Sequence, residues 1–144
     1  MTKTLAEKCA DAMWVGDSAT QALNMKLTDV RTGHATMTME VTAHMANGHG
    51  LCHGGYIFIL ADSAFAYACN SHNHRTVAQH CSISFLRPGK LGDTLIAVAS
   101  EHNRMGRSGI YDVTVSKEDG TIIAEFRGLS RTIDGLLVDV AHNP

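Results

Sequence analysis

His53-Gly-Gly-Tyr-Ile-Phe-Ile-Leu-Ala-Asp62, continuing through Ser63-Ala-Phe-Ala-Tyr-Ala-Cys69, is the stretch whose reading decides the fold. From Tyr56 to Cys69 nearly every position is apolar or small, and Asp62 is the one residue there with a formal charge. Those fourteen residues suit a buried helix. They fall short of the ~20 apolar residues that a membrane-spanning helix needs. A helix that is apolar on all sides has to be wrapped by other elements. Gly54 and Gly55 stand where this helix should begin, so backbone N–H groups are left uncovered by side chains at an end that favours negative charge. A central helix over 53–70 is therefore expected, with donors at its start and one isolated carboxylate along it.

The flanking sequence supplies the wrapping. Residues 1–23 read as one or two helices, with Leu5, Cys9, Ala12 and Met13 on one face and a break at Gly16, where Asp17 or Ser18 can cap a second turn. Met25 to Arg31 is a weak strand candidate, and Thr32-Gly33 is a turn. From His34 to Thr42, Ala35, Met37, Met39 and Val41 alternate with polar residues, the pattern of a sheet with one face buried. After the helix the alternation returns in Val77–Leu86 (through Cys81, Ile83 and Phe85), Asp93–His102, Gly109–Ser116 and Ile122–Ile133. Arg87-Pro-Gly89 and Lys117-Glu-Asp-Gly120 supply turns between them. The class is α+β: a curved antiparallel sheet of five to six strands around a long central helix, all within one domain, 1–144. One sheet covers such a helix from a single side, so a second subunit is expected to cover the rest.

Composition narrows the function classes. Hydrophobic residues make up 44% and charged residues 18% of 144 residues, which is globular, and the net charge of −2 gives no reason to expect nucleic acid. The N-terminus lacks the continuous apolar core of a secretory signal, and no stretch reads as a transmembrane helix. Cys9, Cys52, Cys69 and Cys81 have no CxxC spacing and are expected to be reduced thiols of a cytoplasmic protein. The nine histidines include no ligand pair at helical spacing with a third partner, so no metal is expected. Gly-x-Ser-x-Gly, GxGxxG and Walker lysine patterns are also absent, leaving no support for a serine-elbow hydrolase, hydride transfer or nucleotide hydrolysis.

Asn47-Gly-His, His53-Gly-Gly, Phe58 and Leu60-Ala-Asp62, in this architecture, resemble the hotdog-fold thioesterases, most of all the PaaI type that acts on acyl-CoA in phenylacetic acid degradation. Ala64-Phe-Ala-Tyr-Ala-Cys-Asn70, Phe85-Leu-Arg-Pro-Gly89, Gly92-Asp-Thr94 and Gly109-Ile-Tyr-Asp-Val113 extend the resemblance to residues 12–132. It implies a thioester carbonyl held by the Gly54 N–H, with Asp62 as general base or as nucleophile. It also implies roles for His53 and Asn47 near the thioester, a homodimer that completes the site, a homotetramer, and no cofactor beyond the CoA of the substrate. Where related sequences carry Asn before the residue matching Asp17, this chain has Gly16.

Helix geometry reaches the dimer independently. Gly54 and Asp62 are eight residues apart, or ~12 Å along one helix, too far to meet at one carbonyl. Gly54 of one chain facing Asp62 of another resolves the mismatch. For the substrate, Gly55 and Tyr56 lie by the helix start, while Arg87, Lys90, Arg104 and Arg107 are candidate partners of the CoA phosphates. Gly106 and Ser108 allow close backbone approach beside the last two. Two alternatives stand beside hydrolysis. A hotdog hydratase or dehydratase would want a His with its carboxylate, which the helix does not offer; a non-catalytic acyl-CoA-binding module would not need Asp62.

Overall fold

A computed structural model describes residues 2–140. The chain opens with α1 (Leu5–Gly16), whose first turn carries a reciprocal cap between Thr4 and Glu7, and α2 (Ser18–Ala22), capped by the Asp17 carboxylate on Thr20 N–H. β1 (Lys26–Arg31) and β2 (His34–Glu40) precede the central helix α3 (Gly54–Cys69), and β3 (His74–Phe85), β4 (Thr94–Met105), β5 (Ser108–Lys117) and β6 (Ile122–Leu136) follow it. All six strands form one antiparallel sheet in the order β1-β2-β4-β5-β6-β3. This is the hotdog architecture expected from the sequence.

The alternation of β2 translates directly into burial: Ala35, Met37 and Met39 face inward with Leu95, Ala97 and Ala99 of β4 and Val113 and Val115 of β5. Upon that layer lie Ile57, Leu60, Ala61, Ala64 and Ala68 of α3. Small residues on the helix let its axis approach the sheet, and burying this apolar surface is the main stabilising term. At the β6 side Phe58 and Phe65 pack on Phe126 with ring centroids 5.5 and 5.8 Å apart. Gly128 leaves room for Phe65, since a Cβ there would stand 2.7 Å from the ring.

Two expectations change. The alternation through Cys81, Ile83 and Phe85 predicts that the three share one face of a strand, but β3 is the outermost strand beyond β6, so Phe85 is exposed while the other two are half-buried. The strands also run longer than the alternation suggested. β3 begins at His74, β4 reaches Met105 and β6 reaches Leu136, because polar residues continue the ladder where nothing needs burying.

The helix is not wrapped on every side. Gly55 is exposed and Ile59, Asp62 and Ala66 are half-buried, a stripe at helical spacing along α3. It lies on the side of α3 opposite the helix face that packs on the sheet.

Candidate active site

His53 begins α3 as its N-cap. Its Nδ1 accepts the Gly55 N–H at 3.0 Å, and its carbonyl accepts the Tyr56 N–H at 3.0 Å. Among the described residues the Gly54 N–H has no partner. The first donor of an apolar helix is thus left free while its neighbours are taken, the arrangement that suits a developing oxyanion. Gly54 lines a cavity of about 400 Å³ together with Asn47, Leu51, Cys52, Ile57, Phe85, Leu86, Arg87 and Pro88. Asn47 holds the loop that forms one wall: its Oδ1 accepts the N–H of His49 at 2.9 Å and of Leu51 at 3.2 Å. Lys90 joins this end of the molecule through a bridge to Leu51. Tyr56 packs edge-on to the His53 ring.

Asp62 stands two turns further along α3, outside that cavity. Burial pushes its carboxyl above the ordinary value of 3.8. On the same side of the helix, burial and then the Asp62 charge push the Cys81 thiol up. Cys69 rises to about 12, also chiefly through burial. All four cysteines are free.

The remaining candidates divide by position. Arg87 and Lys90 lie at the Gly54 end. Arg104, Gly106 and Arg107 line a second cavity of about 370 Å³ with His74, Thr132, Ile133, Asp134, Gly135 and Leu136. Gly106, at φ +58°, makes the two-residue turn between Met105 and Ser108. Ser108 pairs with Arg131 on β6. Phe85 ends β3 at the first cavity and His74 begins it at the second, so the two cavities are a strand length, about 35 Å, apart. Among the described residues, no three His, Cys, Asp or Glu side chains gather where they could hold a metal ion, and no helix is long and apolar enough to cross a membrane.

Three site features escaped the sequence reading. Phe85 lies against Gly54, and His74 joins the arginines; neither is near its neighbour in sequence. Asp17, which caps α2, also accepts the Tyr67 hydroxyl at 2.9 Å and so ties the α1–α2 corner to the central helix. Nothing lies within 4 Å of a Cβ built at the neighbouring Gly16, so that position is open.

Comparison with known proteins agrees with this architecture. The chain is 45% identical over 132 residues to the acyl-coenzyme A thioesterase PaaI of Escherichia coli K12, covering 92% of this chain and 94% of that one. It superposes on the solved E. coli PaaI protein, from the phenylacetic acid degradation operon, with a TM-score of 0.89 over 92% of this chain and 99% of that chain, at 44% identity. A Streptococcus mutans UA159 protein solved with acetyl CoA bound matches with a TM-score of 0.74 and 30% identity, over 76% of this chain and 89% of that chain. The thioesterase superfamily model matches residues 49–124, from the loop before α3 into β6. The chain belongs to the thioesterase superfamily and is a hotdog-fold thioesterase.

Proposed function

We propose that this thioesterase hydrolyses acyl-CoA, with aryl or arylacetyl acyl groups of the phenylacetyl kind as its preferred class. The observation that carries the reading is the free Gly54 N–H at the start of α3, opening on a cavity with an apolar floor. A thioester carbonyl fits it as the oxyanion acceptor. The E. coli relative, named an acyl-coenzyme A thioesterase, supports the substrate class.

The active unit is a homodimer. The stripe of Gly55, Ile59, Asp62 and Ala66 and the unpaired edge of β3 border each other and suit a second copy. Antiparallel pairing of β3 with its own copy would set the His74 end of one chain beside the Phe85 end of the other. The arginine cavity and Asp62 of one protomer then serve the Gly54 cavity of the second. Such dimers pair further into a tetramer of a cytoplasmic enzyme.

In the general-base route, Asp62 takes a proton from water as its oxygen attacks the thioester carbon. The carbonyl electrons move to the oxygen facing Gly54 N–H. Collapse of this intermediate expels the CoA thiolate, which recovers the proton from Asp62. In the alternative route the Asp62 carboxylate attacks directly, releasing thiolate and leaving an anhydride that water then hydrolyses. His53 acts by holding Gly55 N–H, and Asn47 by shaping the loop beside the carbonyl. Neither route requires a cofactor. Arg104 and Arg107 meet the CoA phosphates, with Arg87 and Lys90 nearer the thioester.

Free-thiol release from phenylacetyl-, hydroxyphenylacetyl-, benzoyl- and hexanoyl-CoA tests the reading. The wild-type chain is expected to turn over the aryl esters fastest, and Asp62→Asn to lose about 100-fold or more. Binding of acyl-CoA without thiol release by either protein would sink it in favour of a binding module.

A further inference from the structure

One wall of the basic cavity is an irregular stretch of β6. His74 of β3 pairs with Leu136 and Thr76 pairs with Thr132, so two steps along β3 face four along β6. The surplus bows out of the ladder as a bulge, and its Ile133, Asp134 and Gly135 all line the cavity. Gly135 takes φ +111°, which glycine alone adopts without strain. Residues outside the ladder take their shape from what holds the two ends of the bulge. At one end the Thr132 N–H donates to the Arg107 carbonyl at 2.7 Å, tying the bulge to the turn that carries Arg107. At the other end β3 stops at His74 and β6 at Leu136, so Leu137 and Val138 have no strand beside them. Asn73 takes that place. Its Oδ1 accepts the N–H of Leu137 at 3.2 Å and of Val138 at 2.9 Å, and its Nδ2 donates to the Val138 carbonyl at 3.0 Å. Asn73 is itself held: it is buried, its N–H donates to the Asn70 carbonyl at 3.1 Å, and the Cys9 thiol donates to its Oδ1 at 3.6 Å. Its φ of +68° is a left-handed conformation that asparagine tolerates better than most residues.

We propose that Asn73 is a positioning residue of the basic cavity: by clamping Leu137 and Val138 it fixes the β6 bulge as the wall beside which Arg104 and Arg107 receive the CoA phosphates. The inference rests on the phosphate placement in the function proposed above. Among the described residues neither arginine forms an ion pair, so both charges are open to an anion. A wall that sampled several shapes would have to be ordered on binding, which weakens affinity. A clamped wall is ordered before substrate arrives. Asp134 belongs to the same bulge, so the clamp also sets how near a carboxylate stands to the bound phosphates. A clamp that served only the fold would be indifferent to what the substrate carries beyond its thioester.

That contrast supplies the experiment. kcat/KM is measured for one acyl group as its CoA ester and as its N-acetylcysteamine ester, which keeps the thioester but has no phosphates, and the ratio of the two is compared among variants. Arg104→Ala combined with Arg107→Ala sets the scale and is expected to lower the ratio about 10-fold or more, as for loss of charged hydrogen bonds. Asn73→Gly keeps the left-handed backbone and removes the whole clamp. It is expected to lower the ratio about 5-fold, the scale of ordering a short segment on binding, through KM of the CoA ester. Where Asn73→Gly fails to fold, Asn73→Asp decides: it keeps the size and the accepting oxygen, loses the donor to Val138, and is expected to lower the ratio about 2-fold. If the double arginine variant lowers the ratio while the deciding Asn73 variant leaves it unchanged, or depresses both esters alike, the positioning role is wrong and the phosphate placement survives. If the double arginine variant leaves the ratio unchanged, the placement and the positioning role fall together, while thiol release by the wild-type chain still upholds the thioesterase chemistry.

Discussion

A Cβ on Gly54 would stand 3.0 Å from Cζ of Phe85, so the last ring of β3 closes over the first residue of α3. Close approach of the ring and the openness of the donor both favour glycine there. Gly54→Ala is expected to cost about 1 kcal/mol of stability, because the ring is exposed and can shift, and to lower thiol release by more than that cost explains. Thermal melts of Gly54→Ala alone and combined with Phe85→Leu check the cause. Equal losses in both backgrounds would show that the ring is not the obstacle.

Asp62 makes stability fall as pH rises. Its folded pKa lies above the ordinary 3.8 through burial, so the folded chain holds the proton more tightly than the unfolded chain. Ionisation therefore destabilises: the cost is absent below the unfolded value, grows as pH climbs toward the folded pKa, and is complete above it. Asp62→Asn should be more stable than the wild-type chain near neutrality and lose that advantage at about pH 3. Urea unfolding at the two pH values reads the difference, and a variant less stable than wild type at neutrality would contradict it. In the proposed mechanism activity needs the Asp62 carboxylate, so the acid limb of kcat/KM should lie above 3.8.

Ile59 is half-buried in the uncovered stripe of α3, one turn before Asp62. If a second copy covers that stripe, Ile59→Lys places a charge in an apolar seam and should yield a folded monomer without thiol release. Sedimentation and circular dichroism together decide it. A dimer that survives the lysine would locate the contact elsewhere.

Gly128→Ala should be worse for the fold than Gly54→Ala. Three carbons of the Phe65 ring lie 2.7, 2.7 and 2.8 Å from the added Cβ, and that ring is hemmed in by Tyr111 and Phe126. With no exposed side to move toward, the cost should approach about 3 kcal/mol, the upper range for overpacking. Denaturant melts of the two variants give the order.

Local pattern carried most of the fold. The period-2 run from Ala35 to Met39 named the buried face of β2 correctly, because a half-buried strand has to alternate. The apolar run from Tyr56 to Cys69, preceded by Gly54-Gly55, places a helix over 53–70, within a residue of α3 at either end. The same pattern misjudged Phe85, since alternation reports a strand and not its place in the sheet. Only the order β5-β6-β3 reveals that this strand has one neighbour.

By itself, then, the sequence determined the central helix, its lone carboxylate, its glycine start and the strands that pack on it, all set by spacing over a few residues. The tertiary structure alone decided which of these groups meet. It separated Arg104 and Arg107 from Gly54 by the length of β3. It brought His72, Glu101 and Tyr111 to one point across gaps of 29 and 10 residues. It also set the exposed Arg104 on the same face of β4 as Glu101 through a bulge that leaves no periodic trace. The reason is physical: periodicity records which way a side chain faces its own element, whereas a site depends on how distant elements are registered against one another.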